Sequence, residues 1–107
     1  MTTLEEYQTA ALQVPLSLRN DLDRIKLPAT GLQEESGRIG SLLAAASQSG
    51  RFTLAPNQAS ELRDRLADVL WYVVRLCAEA RMPLQDIAVH SIAQLQARAR
   101  ELDPDQR

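Results

Sequence analysis

With 107 residues, 45% hydrophobic but only 4% aromatic, the chain is long enough to bury one core and too short for two domains. Twelve basic side chains against fourteen acidic ones leave a net charge of −2 with no basic block, which argues against a nucleic-acid partner. The single cysteine, Cys77, excludes an internal disulfide and a multi-cysteine zinc site, so it reads as a packed thiol. The first residues lack a basic segment followed by an apolar run, and no stretch approaches the ~20 apolar residues of a membrane span. The expectation is a soluble, cytoplasmic protein with no membrane partner. Residues 1–107 read as a single helical domain with a frayed tail from about residue 103.

In chain order, Thr2 and Thr3 stand three residues before Glu5 and Glu6, a capping-box pattern that starts a helix near Leu4. Leu4, Tyr7, Ala11 and Val14 supply its inner face, and Pro15 breaks it. Leu18, Leu22 and Ile25 keep helical spacing over Ser17 to Ile25, after which Lys26-Leu27-Pro28-Ala29-Thr30 resets the direction. A second long helix is predicted from about Thr30 to Ala46 or Ser47, ending in a cap and loop at Ser47-Gln48-Ser49-Gly50-Arg51. The loop continues through Phe52 to Pro56, and Asn57 or Ser60 can cap the next helix.

That next helix, Glu61 to Arg81, organises the rest. Leu62, Leu66, Val69, Val73, Leu76 and Ala80 recur at spacings of four and three and draw one apolar stripe along it. Pro83 suits the first turn of a last helix reaching about Leu102, with Leu84, Ile87, Ser91, Leu95 and Arg98 on one face; Asp103, Pro104 and Asp105 mark its end. The only strand candidate, Arg51 to Ala55, is short and stopped by Pro56, so the fold class is all-α.

Two acids fall among apolar residues. Asp68 lies between Leu66, Val69 and Leu70, where losing its water would cost several kcal/mol unless a cation or donors meet it. Glu35 lies three residues after Leu32 and four before Ile39, hence on the buried side of the second helix. Two facing helices that each carry an acid inward imply a bound metal or a buried ion pair.

The run Gly31-Leu32-Gln33-Glu34-Glu35-Ser36-Gly37, followed on the next helix by Leu66-Ala67-Asp68-Val69-Leu70-Trp71-Tyr72-Val73, resembles the MazG-like all-α nucleoside triphosphate pyrophosphohydrolases. Thr3-Leu4-Glu5-Glu6-Tyr7-Gln8 resembles that family's opening helix, and Arg75 to Leu84 its third-to-fourth helix corner. The resemblance implies a MazG-like four-helix bundle completed by oligomerisation as a homodimer or a dimer of dimers. It also implies a Mg²⁺ cofactor and cleavage of a nucleoside triphosphate to the monophosphate and pyrophosphate. The family signature is Glu-Glu-x-x-Glu on one helix and Glu-x-x-Asp on the next. By resemblance Glu35 and Asp68 are metal ligands, Glu34 orients or deprotonates the water, and Arg98 is a phosphate donor on the last helix.

The chain departs from that signature at two ligand positions, which carry Arg38 and Arg65. At ~5 Å and an effective dielectric of ~20, each guanidinium would repel a dication by roughly 6 kcal/mol, whereas it can fork onto Glu35 or Asp68. A metal-free arginine–carboxylate cluster is therefore one reading. Another is a displaced magnesium site, because Glu61-Leu62-Arg63-Asp64 spells Glu-x-x-Asp in a second register and Glu61, Asp64 and Asp68 share a helix face with Glu34 and Glu35 opposite. His90 has no second histidine or cysteine at ligand spacing, and Trp71 and Tyr72 suit either a base or a packed interface. Two functions follow: a pyrophosphohydrolase with a degenerate metal site and weak or lost catalysis, or a non-catalytic nucleotide-binding or protein-interaction module of the same fold.

Overall fold

The computed structural model describes residues 1–48 and 50–102. Ser49 of the expected loop and the tail from Asp103 through Pro104 and Asp105 lie outside them. Four helices dominate: α1 (Leu4–Leu12), α2 (Asp23–Ala46), α3 (Pro56–Glu79) and α4 (Leu84–Leu102). The all-α expectation is met, with one small addition. Strands β1 (Ser47–Gln48) and β2 (Arg51–Phe52) form a two-residue antiparallel ladder, Ser47 opposite Phe52 and Gln48 opposite Arg51. Their connection needs a left-handed residue, and Gly50 provides it at φ 72°. Arg51 and Phe52 are therefore strand rather than loop.

Helix α1 starts where the capping box places it, the Thr3 hydroxyl accepting the Glu6 N–H at 3.1 Å. Helix α2 starts earlier than its spacing predicts. Asn20 accepts the Asp23 N–H at 3.2 Å and the Asp23 carboxylate accepts the Arg19 N–H at 2.8 Å, two bonds that hold the turn leading into the helix at Asp23, whose N-cap Leu22 has no side-chain cap of its own. It then runs through Pro28 instead of turning there. Pro28 forfeits one helical hydrogen bond but is fully buried, so packing offsets a break that sequence alone favours. Ser17 to Leu22 is irregular, not helical.

Helix α3 also starts early. Pro56, expected to end a loop, occupies its first position, and the Gln58 side chain accepts the Ala55 N–H at 2.9 Å. Neither Asn57 nor Ser60 is the cap. At its other end the Met82 N–H bonds Cys77 O at 2.9 Å and the Arg81 N–H bonds Ala78 O at 3.2 Å, a Schellman motif with Arg81 at φ 57°.

Helices α2 and α3 form the main antiparallel pair, and α1 packs on the C-terminal half of α3. The deepest cluster is Val74, wholly buried, with Ala11, Cys77 and Leu84. It lies on a different face of α3 from the predicted stripe, of which Leu66 and Ala80 are exposed. Cys77 is the packed thiol expected. Among the described residues no helix is long and apolar enough to cross a membrane.

Candidate functional site

The site lies where α2 and α3 face each other. Glu35 is 4% exposed, the one buried charged side chain among the described residues. Its carboxylate is held from both helices. Arg38, one turn on, donates to Oε1 at 3.0 Å, and Arg65 of α3 reaches Oε1 at 3.3 Å and Oε2 at 3.4 Å. Arg65 also approaches Glu61 at 3.6 Å. Sharing one carboxylate lets the two guanidiniums, half-exposed in the case of Arg38, keep their outer edges toward water.

Asp68 corrects the expectation drawn from its apolar neighbours. It is exposed: it lies one turn from Arg65 and Tyr72 on α3, at the edge of the contact with α2 and not covered by it, while Leu66 and Leu70, two residues away on either side, point to other faces of the helix. Its charge is still felt nearby. Burial, then the Asp68 carboxylate, pushes the Tyr7 phenol above its ordinary 10.0. The Tyr72 phenol is raised by burial, then by Asp68, Glu35 and Glu34, with Arg38 opposing.

Tyr72 is positioned by a residue whose role the sequence does not advertise. A Cβ on Gly31 would fall within 2.6 Å of Cε2 and 2.7 Å of Cε1 of its ring, so α2 and α3 approach closely only because Gly31 has no side chain. A polar cleft of about 680 Å³ opens beside the ion cluster, lined by Glu34, Arg38, Ser41, Glu61 and Arg65 among others. Asp64 is exposed. Arg98 and His90 are exposed on α4, which packs chiefly against α1 and not over this cleft.

A second set of polar contacts ties the helices to one another. Ala11 and Leu12 end α1; the Trp71 indole donates to Ala11 O at 3.0 Å, which also accepts the Val14 N–H at 3.4 Å, and Arg75 donates to Leu12 O at 3.4 Å. The Arg75 guanidinium lies 5.6 Å over the Trp71 ring. In return Gln8 of α1 accepts the Leu84 N–H at 2.7 Å and caps α4. Trp71 thus packs within the chain, and Gln8 and Arg75 are contributors that spacing alone does not single out.

The residues present do not fit the Mg²⁺ that the resemblance implies. A dication needs oxygen donors free to coordinate, and both Glu35 oxygens face guanidiniums while the positions of two further ligands are cationic. Among the described residues no three His, Cys, Asp or Glu side chains are grouped so as to hold a metal ion, and Glu61 turns to Arg65. Comparison of the chain with known protein families, with curated proteins and with solved structures finds no match.

Proposed function

We propose that the chain is a non-catalytic helical module related to the MazG-like pyrophosphohydrolases, in which a salt-bridge cluster stands where those enzymes hold magnesium. The observation that carries this reading is Glu35, buried and bonded by Arg38 at 3.0 Å and Arg65 at 3.3 Å. Placing Mg²⁺ there requires breaking both pairs and holding two guanidiniums near a dication. Catalysis by the magnesium route is therefore weak or lost. The cleft lining balances Arg38 and Arg65 with Glu34 and Glu61, so a triphosphate meets no surplus of positive charge. That balance favours protein interaction over nucleotide binding.

The test is magnesium-dependent pyrophosphate release from a panel of nucleoside triphosphates. Wild type is expected to release none above background. The double variant Arg38→Glu with Arg65→Glu is expected to gain Mg²⁺ binding, read as a thermal midpoint that rises with Mg²⁺ while that of wild type does not. Robust magnesium-dependent turnover by wild type, abolished by Glu61→Ala, would overturn the reading in favour of the displaced site.

A further inference from the structure

The cleft beside the ion cluster carries both signs of charge in a fixed pattern. Glu34 and Arg38 stand one turn apart on α2, and Glu61 and Arg65 stand one turn apart on α3. The helices run antiparallel, Gly31 against Tyr72 and Glu35 against Arg65, so acid and base alternate around an opening of about 680 Å³. These charges are held in place without satisfying one another. Glu35, with 5% of its side chain exposed, anchors both guanidiniums. Arg38 spends one N–H on it at 3.0 Å and keeps its Nε and Nη2 donors free among the described residues. Glu61 lies 3.6 Å from Arg65, beyond hydrogen-bond reach, and is half-exposed. Glu34 is exposed and forms no ion pair among the described residues.

Gly37 lines the same cleft and supplies a second, independent observation. Glycine is the poorest helix former after proline, yet Gly37 sits within α2, and a Cβ there would meet nothing within 4 Å. Packing inside the chain therefore does not require it. Its missing side chain leaves room at the wall of the cleft, within the turn that spans Glu34 and Arg38.

We infer that the cleft docks a protein segment presenting a carboxylate and an ammonium about one helical turn apart, the acid to Arg38 and the base to Glu34. This names the partner chemistry for the protein-interaction reading above and rests on that reading. A ligand of one sign is repelled by half of the charged lining, whereas a ligand with both signs meets an opposite charge at each corner. The size agrees with a segment of chain. A free amino acid fills a small part of the volume, which lies within the range of about 300–1,000 Å³ that holds drug-sized ligands.

The test is a titration of the full chain, without Mg²⁺ or nucleotide, followed by amide NMR shifts. The probes are end-blocked helical peptides of three EAAAK repeats and two counterparts, one with every lysine replaced by glutamate and one with every glutamate replaced by lysine. The mixed peptide is expected to move the Gly37, Arg38 and Arg65 amides and to bind about tenfold more tightly than either single-sign peptide. Glu34→Lys should turn the preference toward the acidic peptide. Gly37→Leu should abolish binding without lowering the unfolding free energy read by urea titration, since the cleft is filled and a better helix former takes the place of glycine. Tighter or equal binding of a single-sign peptide by wild type would overturn the proposal, and so would the absence of any shift at the cleft. Either result leaves the non-catalytic reading standing, because pyrophosphate release tests that reading separately.

Discussion

At the scale of single residues, Gly31 sets the distance between α2 and α3, and its effect runs against helix propensity. Alanine is the better helix former by about 1 kcal/mol, so a glycine inside a 24-residue helix is a local cost. At Gly31 the added methyl would collide with the Tyr72 ring, an overpacking cost of roughly 1–3 kcal/mol that exceeds the gain. At Gly40, on the same helix, a methyl meets nothing within 4 Å. Gly31→Ala is therefore expected to lower the unfolding free energy read by urea titration and Gly40→Ala to raise it, by about 0.5–1 kcal/mol in the second case. Equal effects of the two would mean that the Gly31–Tyr72 approach does not set the helix spacing. Glu35 was readable from its place between Leu32 and Ile39, and it is buried as that spacing requires. Asp68 misleads because Leu66 and Leu70 adjoin it only in sequence: residues two apart on a helix point to different faces, so apolar neighbours at that spacing do not enclose a carboxylate, and Asp68 is exposed.

At the scale of elements, the three helix contacts that frame the core are polar as well as apolar. α3 supplies Trp71 and Arg75 to the C-terminal carbonyls of α1, and α1 supplies Gln8 to the N-terminus of α4. A helix end satisfied by another helix is fixed in position, so these bonds orient α4 where Pro83 alone would leave its angle open. Gln8→Ala removes the acceptor for the Leu84 N–H and is expected to cost about 1 kcal/mol, typical of a lost cap. Hydrogen exchange should show it as faster exchange in the first turn of α4, with α2 unaffected; unchanged exchange at Leu84 would count against the cap. Such cross-helix caps depend on tertiary placement and leave no local pattern in the chain. The capping box at Thr3 was legible because its donor and acceptor lie within one turn. The helices themselves were mostly legible from 3.6-residue spacing, whereas the starts of α2 and α3 were not. In both, a proline that reads locally as a break is accepted by the helix, Pro28 through burial and Pro56 at a first position that needs no N–H donor.

At the scale of the whole molecule, stability at alkaline pH ties these junctions together. Burial raises the Cys77 thiol above its ordinary 9.0, and Tyr7 and Tyr72 are raised above 10.0 by burial and then by Asp68. All three groups sit where α3 meets α1 or α2. Between the ordinary value and the raised one, the unfolded chain has released a proton that the folded chain retains. Unfolding is then favoured as pH rises, so the contribution of each group is intact below its ordinary value and is lost as pH climbs through its folded value. The urea midpoint at fixed protein concentration is accordingly expected to be unaffected by these groups below pH 9, to fall from about pH 9 through Cys77 and to fall further above about pH 10 through the tyrosines. Cys77→Ala should remove the first fall and leave the second. Asp68→Asn should lessen the second, because the Asp68 charge holds both phenols protonated, and absorbance titration should show tyrosine ionisation at lower pH in that variant. A midpoint that stays level to pH 11 would mean that neither the thiol nor the phenols are as enclosed as the packing of α1 and α2 on α3 requires.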